Sequence, residues 1–334
     1  MKKYFFLVFA LSSFILQGQP VIQFVYTSDV HFGITRAQFR GEANAPSLTV
    51  NQAMVKQIKT LPGIQFIVIT GDIANRAEPP YQSAAASWAQ FTDTYIKGLN
   101  IPLYLVAGNH DASNAVGYYR PMAPLKDASS MAGIYNYMFH PATPKTAETF
   151  DYKKDKIHYS KDIGGVHFMF IQIWADSAER IWMEKDLKTV AATTPVIMFQ
   201  HDPPEGDTKH FTNPKGTHDI NATDKFENIL EENYNENVQA AFTDFLKHHS
   251  NIKAYFHGHS NGNEFYTYTG TDHSLHLPVF RVDSPMKGKP SATDETKLSF
   301  QVVSIDMKTK KMTVSECLWN NEPVKWGSTI TIPL

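Results

Sequence analysis

Short runs of β-branched and aromatic residues recur along this chain, and each stops abruptly in a cluster of Asp, His, Asn and Gly. The run 21–28 ends in Asp29-Val30-His31, and 66–70 ends in Gly71-Asp72. The run 103–107 leads into Gly108-Asn109-His110-Asp111, 196–200 into His201-Asp202-Pro203, and 254–256 into His257-Gly258-His259. Apolar runs of this length, bounded by turn residues, read as buried strands. Amphipathic segments lie between several of them. Residues 47–60 place Val50, Met54, Val55 and Ile58 at helical spacing before Pro62. Residues 82–97 are Ala-rich, with Trp88, Phe91 and Tyr95 at helical spacing and Gly98 as the stop. Residues 177–190 open on Ser177 as a candidate N-cap, although Arg180 stands where a Glu would complete the capping box. Residues 237–248 carry Val238, Ala241, Phe242, Phe245 and Leu246 on one face.

This alternation of strand and helix predicts an α/β fold. The C-terminal part differs. Residues 298–305, 312–319 and 330–333 read as strands with no helix between them, and 306–311 is a polar turn. They are expected to add a second sheet to the same domain. Two long stretches, 112–160 and 203–226, show no periodicity, which is how lids, binding loops and disordered segments read.

The first residues carry a different signal. Lys2 and Lys3 precede an apolar run over 4–16 that only Ser12 and Ser13 interrupt, followed by Gln17-Gly18-Gln19-Pro20. A positive end followed by an apolar run too short to span a bilayer comfortably reads as a secretory signal peptide. The predicted division is therefore a signal at 1–18 and one folded domain at 19–334, with 291–334 as its C-terminal strands. Export to the periplasm or the extracellular space is the expected location. No second apolar run is long enough to span a membrane. The single cysteine, Cys317, rules out an intrachain disulfide, as is common in periplasmic proteins too. Charged residues make up 19% and hydrophobic ones 42% of the 334 residues, which excludes disorder and coiled coil. The formal charge of −2 shows no basic excess that would mark a nucleic-acid-binding patch. Removing Lys2 and Lys3 takes it to −4, so the chain as a whole offers an anion no attraction.

The chemistry is expected where the strands end, because open α/β sheets bind ligands outside the carboxyl ends of their strands. The clusters there hold carboxylate, amide oxygen and imidazole, the donors that suit Mn, Zn or Fe. Asp29 and His31 are two apart, so both can face one side at a strand end, and His257 and His259 repeat the spacing around Gly258. Asp72 stands alone after Gly71, as suits a carboxylate shared by two ions, and Asn109 offers a neutral oxygen beside His110. Each motif is weak alone, since a solvated turn or a satisfied core histidine explains any one of them. The ordered set is specific. From about 21 to 282 the chain resembles the calcineurin-like metallophosphoesterase superfamily.

That resemblance implies a four-layer α/β/β/α sandwich of two mixed sheets flanked by helices, and hydrolysis of phosphate esters. It implies two divalent metals: one held by Asp29, His31 and His259, the other by Asn109, His201 and His257, with Asp72 bridging them. It also makes His110 the expected general acid, with Asp111 either orienting its imidazole or serving as a plain turn residue. A hydroxide bridging the ions would be the nucleophile, and the substrate a small-molecule, lipid or nucleotide phosphate ester, monoester or diester. A non-catalytic metal- or ligand-binding surface protein on the same scaffold is the alternative.

Departures from sub-family patterns narrow the choice. Asn75 stands where purple acid phosphatases carry the tyrosine that colours their iron, and Gly108-Asn109-His110-Asp111 departs from the protein Ser/Thr phosphatase string. Only about 50 residues follow Val282, too few for the substrate domain of secreted 5'-nucleotidases. Among the other histidines, His167 reads as strand packing and His210 and His218 as loop residues. Arg120, Lys209 and Lys215 also fall in the long loops, and Trp174 and the Tyr118-Tyr119 pair read more readily as packing than as pocket walls.

Overall fold

Residues 21–75, 81–113, 127–211 and 229–334 are described by a computed structural model. The segment read as a signal lies outside these residues, as do Tyr118, Tyr119, Arg120, Lys215 and His218. In chain order the strands are β1 (Ile22–Thr27), β2 (Thr35–Phe39), β3 (Glu42–Pro46), β4 (Phe66–Ile69), β5 (Leu103–Leu105), β6 (Tyr159–Ile163) and β7 (Val166–Phe170). They continue as β8 (Val196–Phe199), β9 (Ile252–His257), β10 (Glu264–Tyr268), β11 (Leu277–Arg281), β12 (Phe300–Asp306), β13 (Lys311–Leu318) and β14 (Lys325–Pro333).

Two six-stranded sheets carry the fold, one ordered β14-β13-β12-β1-β4-β5 and the other β10-β11-β9-β8-β7-β6. In the first, β1, β4 and β5 run parallel; in the second, β7, β8, β9 and β11 do. Strands buried on both faces read as unbroken apolar runs, which is why β1, β4, β5, β8 and β9 stood out in the sequence. Alternation along each strand sends one set of side chains between the sheets and the other toward the helices. From β1, Phe24 and Tyr26 enter the inter-sheet core while Val25 faces outward. From β9, Ala254 and Phe256 face inward while Tyr255 joins the outer cluster. The inter-sheet core is aromatic: Phe24 stacks on Phe66 with centroids 4.7 Å apart, and Phe199 on Phe256 at 4.9 Å. Such pairs add about 0.5–1.5 kcal/mol each beyond the area they bury.

Helices Ser47–Ile58, Ala84–Phe91 and Ser129–Phe139 cover the outer face of the first sheet, and Ser177–Leu187 and Glu236–His248 cover the second. The result is the four-layer α/β/β/α arrangement. Strands β12 to β14 do not add a second sheet, as the sequence suggested, but extend the first, because β12 pairs antiparallel with β1.

Several local details differ from the sequence reading. The stretch 112–160 contains helix Ser129–Phe139, whose weak pattern is interrupted by Gly133; there a side chain would collide with the Trp88 ring. Helix Ser177–Leu187 is capped by Asp176, whose carboxylate accepts from the Glu179 amide at 3.0 Å, rather than by Ser177. His167 is an ion-pair partner as well as a packed side chain: its ring nitrogens meet Asp162 at 2.7 Å and Asp186 at 2.8 Å.

Candidate metal centre

The polar clusters converge because the loops after β1, β4 and β5 are stitched to one another. Beyond the last paired residues of β1 and β4, Asp29 N donates to Gly71 O at 3.0 Å, His31 N to Asp72 O at 2.9 Å and Phe32 N to Ile73 O at 2.8 Å. Asp29, His31 and Asp72 all adopt positive φ (54°, 42° and 49°), which turns their side chains out of strand alternation toward a common point. Gly71 has φ +94°, and a side chain on it would strike the backbone of Gly108, so the β4 and β5 loops approach as closely as two glycines permit. Ser284 Oγ donates to Asp29 O at 2.7 Å and ties in the loop that follows β11.

Asp111 closes this frame. Its buried carboxylate accepts from the amides of Ile73 (3.1 Å), Ala74 (3.0 Å) and Gly108 (3.0 Å) and from Ser130 Oγ (2.6 Å). The His110 ring is not among these partners, and its Nδ1 is buried without a hydrogen bond. The contact by which Asp111 would orient the imidazole is therefore absent; Asp111 holds the β4 and β5 loops together instead.

Asp72 lies at the middle of the group with its two oxygens facing different sets of donors. Its Oδ2 is 3.8 Å from His31 Nε2, which is 3.7 Å from Asp29 Oδ1. Its Oδ1 is 3.4 Å from His201 Nε2, which lies 2.9 Å from Asn109 Oδ1 and 3.3 Å from His259 Nδ1. His110 Nε2 stands 4.0 Å from Asp72 Oδ2, beside the first set. The outer nitrogen of His201 donates to Thr70 O at 2.7 Å, so its inner nitrogen faces the group.

These residues fit a pair of divalent cations. Asp29 Oδ1 and His31 Nε2 are buried and have no hydrogen-bond partner, a costly state for a carboxylate and an imidazole unless a cation lies between them. Donors that share one ion at about 2.1 Å sit about 3.4 Å from each other, close to the spacings found here. Asp29, His31 and Asp72 form one set, and Asp72, Asn109, His201 and His259 the other.

His257 does not join them. It is the last residue of β9 and still pairs with Arg281, so alternation puts its side chain on the outer face with Tyr255. Its ring nitrogens lie 3.0 Å from Tyr266 Oη and from Gly258 O. His259, past the strand end with φ +63°, turns inward and lies with His201, not with His31. In this arrangement the His257 ring lies against Tyr266 and the His259 ring nearest His201; the ion each would hold is the one the family resemblance implies. The closeness that Gly258 allows is as expected, since a side chain there would meet Ser28 and Asp29. Two residues after His259, Asn261 Oδ1 is buried and unpartnered.

The electrostatics follow from burying opposite charges together. Burial raises the Asp29 carboxyl to about 6, with neighbouring Asp72 adding to the rise and His201 opposing it. Burial also works against charge on Asp72, yet His201 and His110 hold it well below the usual carboxylate range. His201 is pushed up to about 10: burial opposes its charge, and Asp72 and Asp29 outweigh that. Burial takes His31 and His110 well below the usual histidine value, and the positive charge of Lys287 pushes them further.

Several neighbours escaped the sequence reading. Asp207 Oδ2 meets His259 Nε2 at 2.9 Å. His210, read as a loop residue, is fully buried, with Nδ1 2.7 Å from Asp202 and its ring 5.0 Å from that of His259. Lys287 follows the Ser284 turn. None of them belongs to a periodic element, so only the fold brings them near. Asn75 lies beside His31, its Nδ2 3.5 Å from His31 Nδ1.

Residues 22–262 match the family model described as calcineurin-like phosphoesterase, and the chain belongs to that family. It is 28% identical over 183 residues to a Rhodopseudomonas palustris protein named as a probable cyclic nucleotide phosphodiesterase. That match covers 55% of this chain and 58% of the relative, so the chain spans little more than half the relative's length. The fold is similar to that of a dimetal phosphatase from Danio rerio (TM-score 0.57, 13% identity, covering 94% of this chain and 99% of the other). It is also similar to a purple acid phosphatase from yellow lupin (TM-score 0.58, 13% identity, covering 94% of this chain and 54% of the other).

Proposed function

We propose that the chain is a metal-dependent phosphoesterase that hydrolyses phosphomonoester or phosphodiester bonds. The observation that carries this reading is the division of Asp72: one oxygen faces Asp29 and His31, and the other faces Asn109, His201 and His259. When bound there, two divalent ions, Mn, Zn or Fe, would acidify a water between them to supply the hydroxide nucleophile and would draw charge from the phosphoryl oxygens. Asp72 and Asp29 bring two negative charges to the ions' four positive ones, so the loaded site remains cationic and attracts phosphate locally. His110, with Nε2 beside Asp72 Oδ2 and its amide tied to Asp72 Oδ1 at 2.8 Å, would deliver a proton to the leaving oxygen. Asp111 contributes rigidity to this frame rather than proton transfer.

The relative's name adds cyclic nucleotides to the diesters worth trying. Metal-reconstituted protein should hydrolyse members of a panel of aryl and alkyl monoesters, diesters, nucleotides and phospholipid head groups. His110→Asn should lose most activity on poor alkyl leaving groups and least on nitrophenyl ones. Equal losses on both would remove the acid role. We also propose that the protein is exported, on the strength of Lys2-Lys3 and the apolar run behind them. N-terminal sequencing of protein from an expressing cell's exported fraction should begin at Gln19 or Pro20; an intact Met1 there would refute cleavage.

A further inference from the structure

The segment that follows β11 bridges two of the loops that carry the candidate metal ligands. At its start Val282 N donates to His257 O at 3.2 Å, and Ser284 Oγ reaches Asp29 O. The same hydroxyl accepts from Met286 N at 3.2 Å and from Lys287 N at 2.9 Å, so one serine side chain joins the Lys287 backbone to that of Asp29. Two residues on, Lys289 N donates to Asn261 O at 2.8 Å, and Asn261 Nδ2 donates to His259 O at 3.0 Å. Lys287 therefore stands between a tie to the loop after β1 and a tie to the loop after β9. The buried Arg36 of β2 grips the segment as well, its Nη1 donating to Pro285 O at 3.0 Å and its Nη2 to Ser291 O. A side chain at Gly288 would strike the Asp283 carboxylate, so the turn after Lys287 is as tight as a glycine allows. These ties fix the point from which the lysine reaches. Its positive charge acts on both His31 and His110, whose rings stand edge-on with centroids 5.0 Å apart. On each ring it outweighs the Asp72 carboxylate, which lies 3.8 Å from His31 and 4.0 Å from His110. Coulomb energy falls with distance, so the ammonium group belongs to the same corner of the site.

We infer that Lys287 is a specificity-determining residue, placed to bind an unsubstituted phosphoryl oxygen of the substrate and so to favour phosphomonoesters over phosphodiesters. The inference rests on the function proposed above and narrows its substrate class. Near neutral pH a monoester phosphate carries about two negative charges and three strong acceptor oxygens. A second ester bond removes one charge and turns one of those oxygens into a bridging atom. An ammonium group is a compact point charge with three donors, so it favours the ester that offers the additional charge and oxygen. The chain's formal charge of −2 provides no general attraction to the more charged ester, so discrimination by charge has to come from a cation at the site itself. Lys287 is partly exposed, which leaves its head within reach of a phosphate arriving from solvent, while the neighbouring Met286 and Gly288 are buried and hold its backbone in place.

The test uses full-length, metal-reconstituted protein, with nitrophenyl phosphate and bis-nitrophenyl phosphate as paired substrates and inorganic phosphate as a binding probe. Lys287→Met keeps an unbranched stem and removes the charge. It should lower kcat/KM on the monoester about 10- to 100-fold, and on the diester by a factor at least about fivefold smaller. The ratio of the two values does not depend on how much of a sample is folded. Lys287→Arg restores the charge and should recover most of the ratio. Calorimetry should show inorganic phosphate binding about tenfold more weakly to Lys287→Met than to wild type, a readout that needs no turnover. Lys289→Met removes an exposed charge from the same loop and should keep the wild-type ratio. An unchanged ratio or an unchanged phosphate affinity in Lys287→Met, or an equal change of ratio in Lys289→Met, would overturn the role of Lys287 while leaving the phosphoesterase reading in place. A wild-type chain that hydrolyses neither ester would overturn both.

Discussion

Replacing Asp111 by alanine separates a structural role from a catalytic one. The substitution strips a buried acceptor from three amides and one hydroxyl: Ile73 N, Ala74 N, Gly108 N and Ser130 Oγ. A buried donor left unpaired costs about 1–3 kcal/mol, so four of them at the middle of that range cost about 8 kcal/mol. Part is recovered. Burial and the nearby Asp72 raise the Asp111 carboxyl to about 6 from 3.8, so keeping it ionised at pH 7 costs the folded state about 3 kcal/mol. The net loss is about 5 kcal/mol. With a urea m-value near 3 kcal/mol/M, the midpoint should fall by about 1.5–2 M. Asp111→Asn keeps an acceptor for some of these donors and should fall less. Equilibrium urea unfolding followed by tryptophan fluorescence measures both. A midpoint within about 0.3 M of wild type, combined with an altered pH–rate profile, would refute the reasoning and return Asp111 to the orientation of His110.

Two further outcomes follow from charges already placed. In the metal-free chain burial opposes a proton on His201, but Asp72 and Asp29 hold one there up to about pH 10, and a cation binding at Nε2 must displace it. Apparent metal affinity should therefore rise about tenfold per pH unit between about pH 6 and 9, with proton release seen in calorimetry across buffers of different ionisation enthalpy; a flat profile would contradict this. At His167 burial lowers the pKa, but Asp186 and Asp162 outweigh it and raise the value above the ordinary 6.5. The stabilisation is complete below that unfolded value and fades as pH rises through the higher folded one. His167→Gln should thus destabilise the protein more at pH 6 than at pH 9 in urea titrations, and equal losses at both would show that the ion pairs contribute nothing.

The strands that carry the site were legible because parallel strands covered on both faces leave unbroken apolar runs, and because the polar residues begin where pairing stops. Asp29, His31, Asp72, Asn109 and His201 could be read in this way as one group, and the structure brings their side chains together. The H-x-H spacing at 257–259 did not show how differently the two rings lie. Spacing alone does not say where β9 ends, and His257 keeps the strand's alternation while His259 has left it through a left-handed turn. For Asp111, sequence adjacency to His110 stood in for contact, whereas a residue on the first turn of the short helix Asn109–Ser113 can direct its carboxylate back at preceding amides. Asp207, His210 and Lys287 left no trace in any pattern. They sit in aperiodic segments whose course is set by contacts distant in sequence: Trp174 and Tyr255 for Asp207 and His210, and the Ser284–Asp29 hydrogen bond for Lys287. Hairpin β2–β3 was missed because its exposed strands have no apolar alternation to reveal them.

The central claim is that Asp72 joins two cation-binding sets on which phosphoester hydrolysis depends. Its most direct test measures metal content by mass spectrometry and bis-nitrophenyl phosphate and nitrophenyl phosphate hydrolysis on the same samples. These samples are reconstituted protein, chelator-stripped protein and Asp72→Asn. About two ions per reconstituted chain, turnover lost on stripping and restored with metal, and fewer than one ion with no turnover in Asp72→Asn are the predicted results. Full turnover by stripped protein, or an Asp72→Asn variant that keeps both its ions and its activity, would contradict the account.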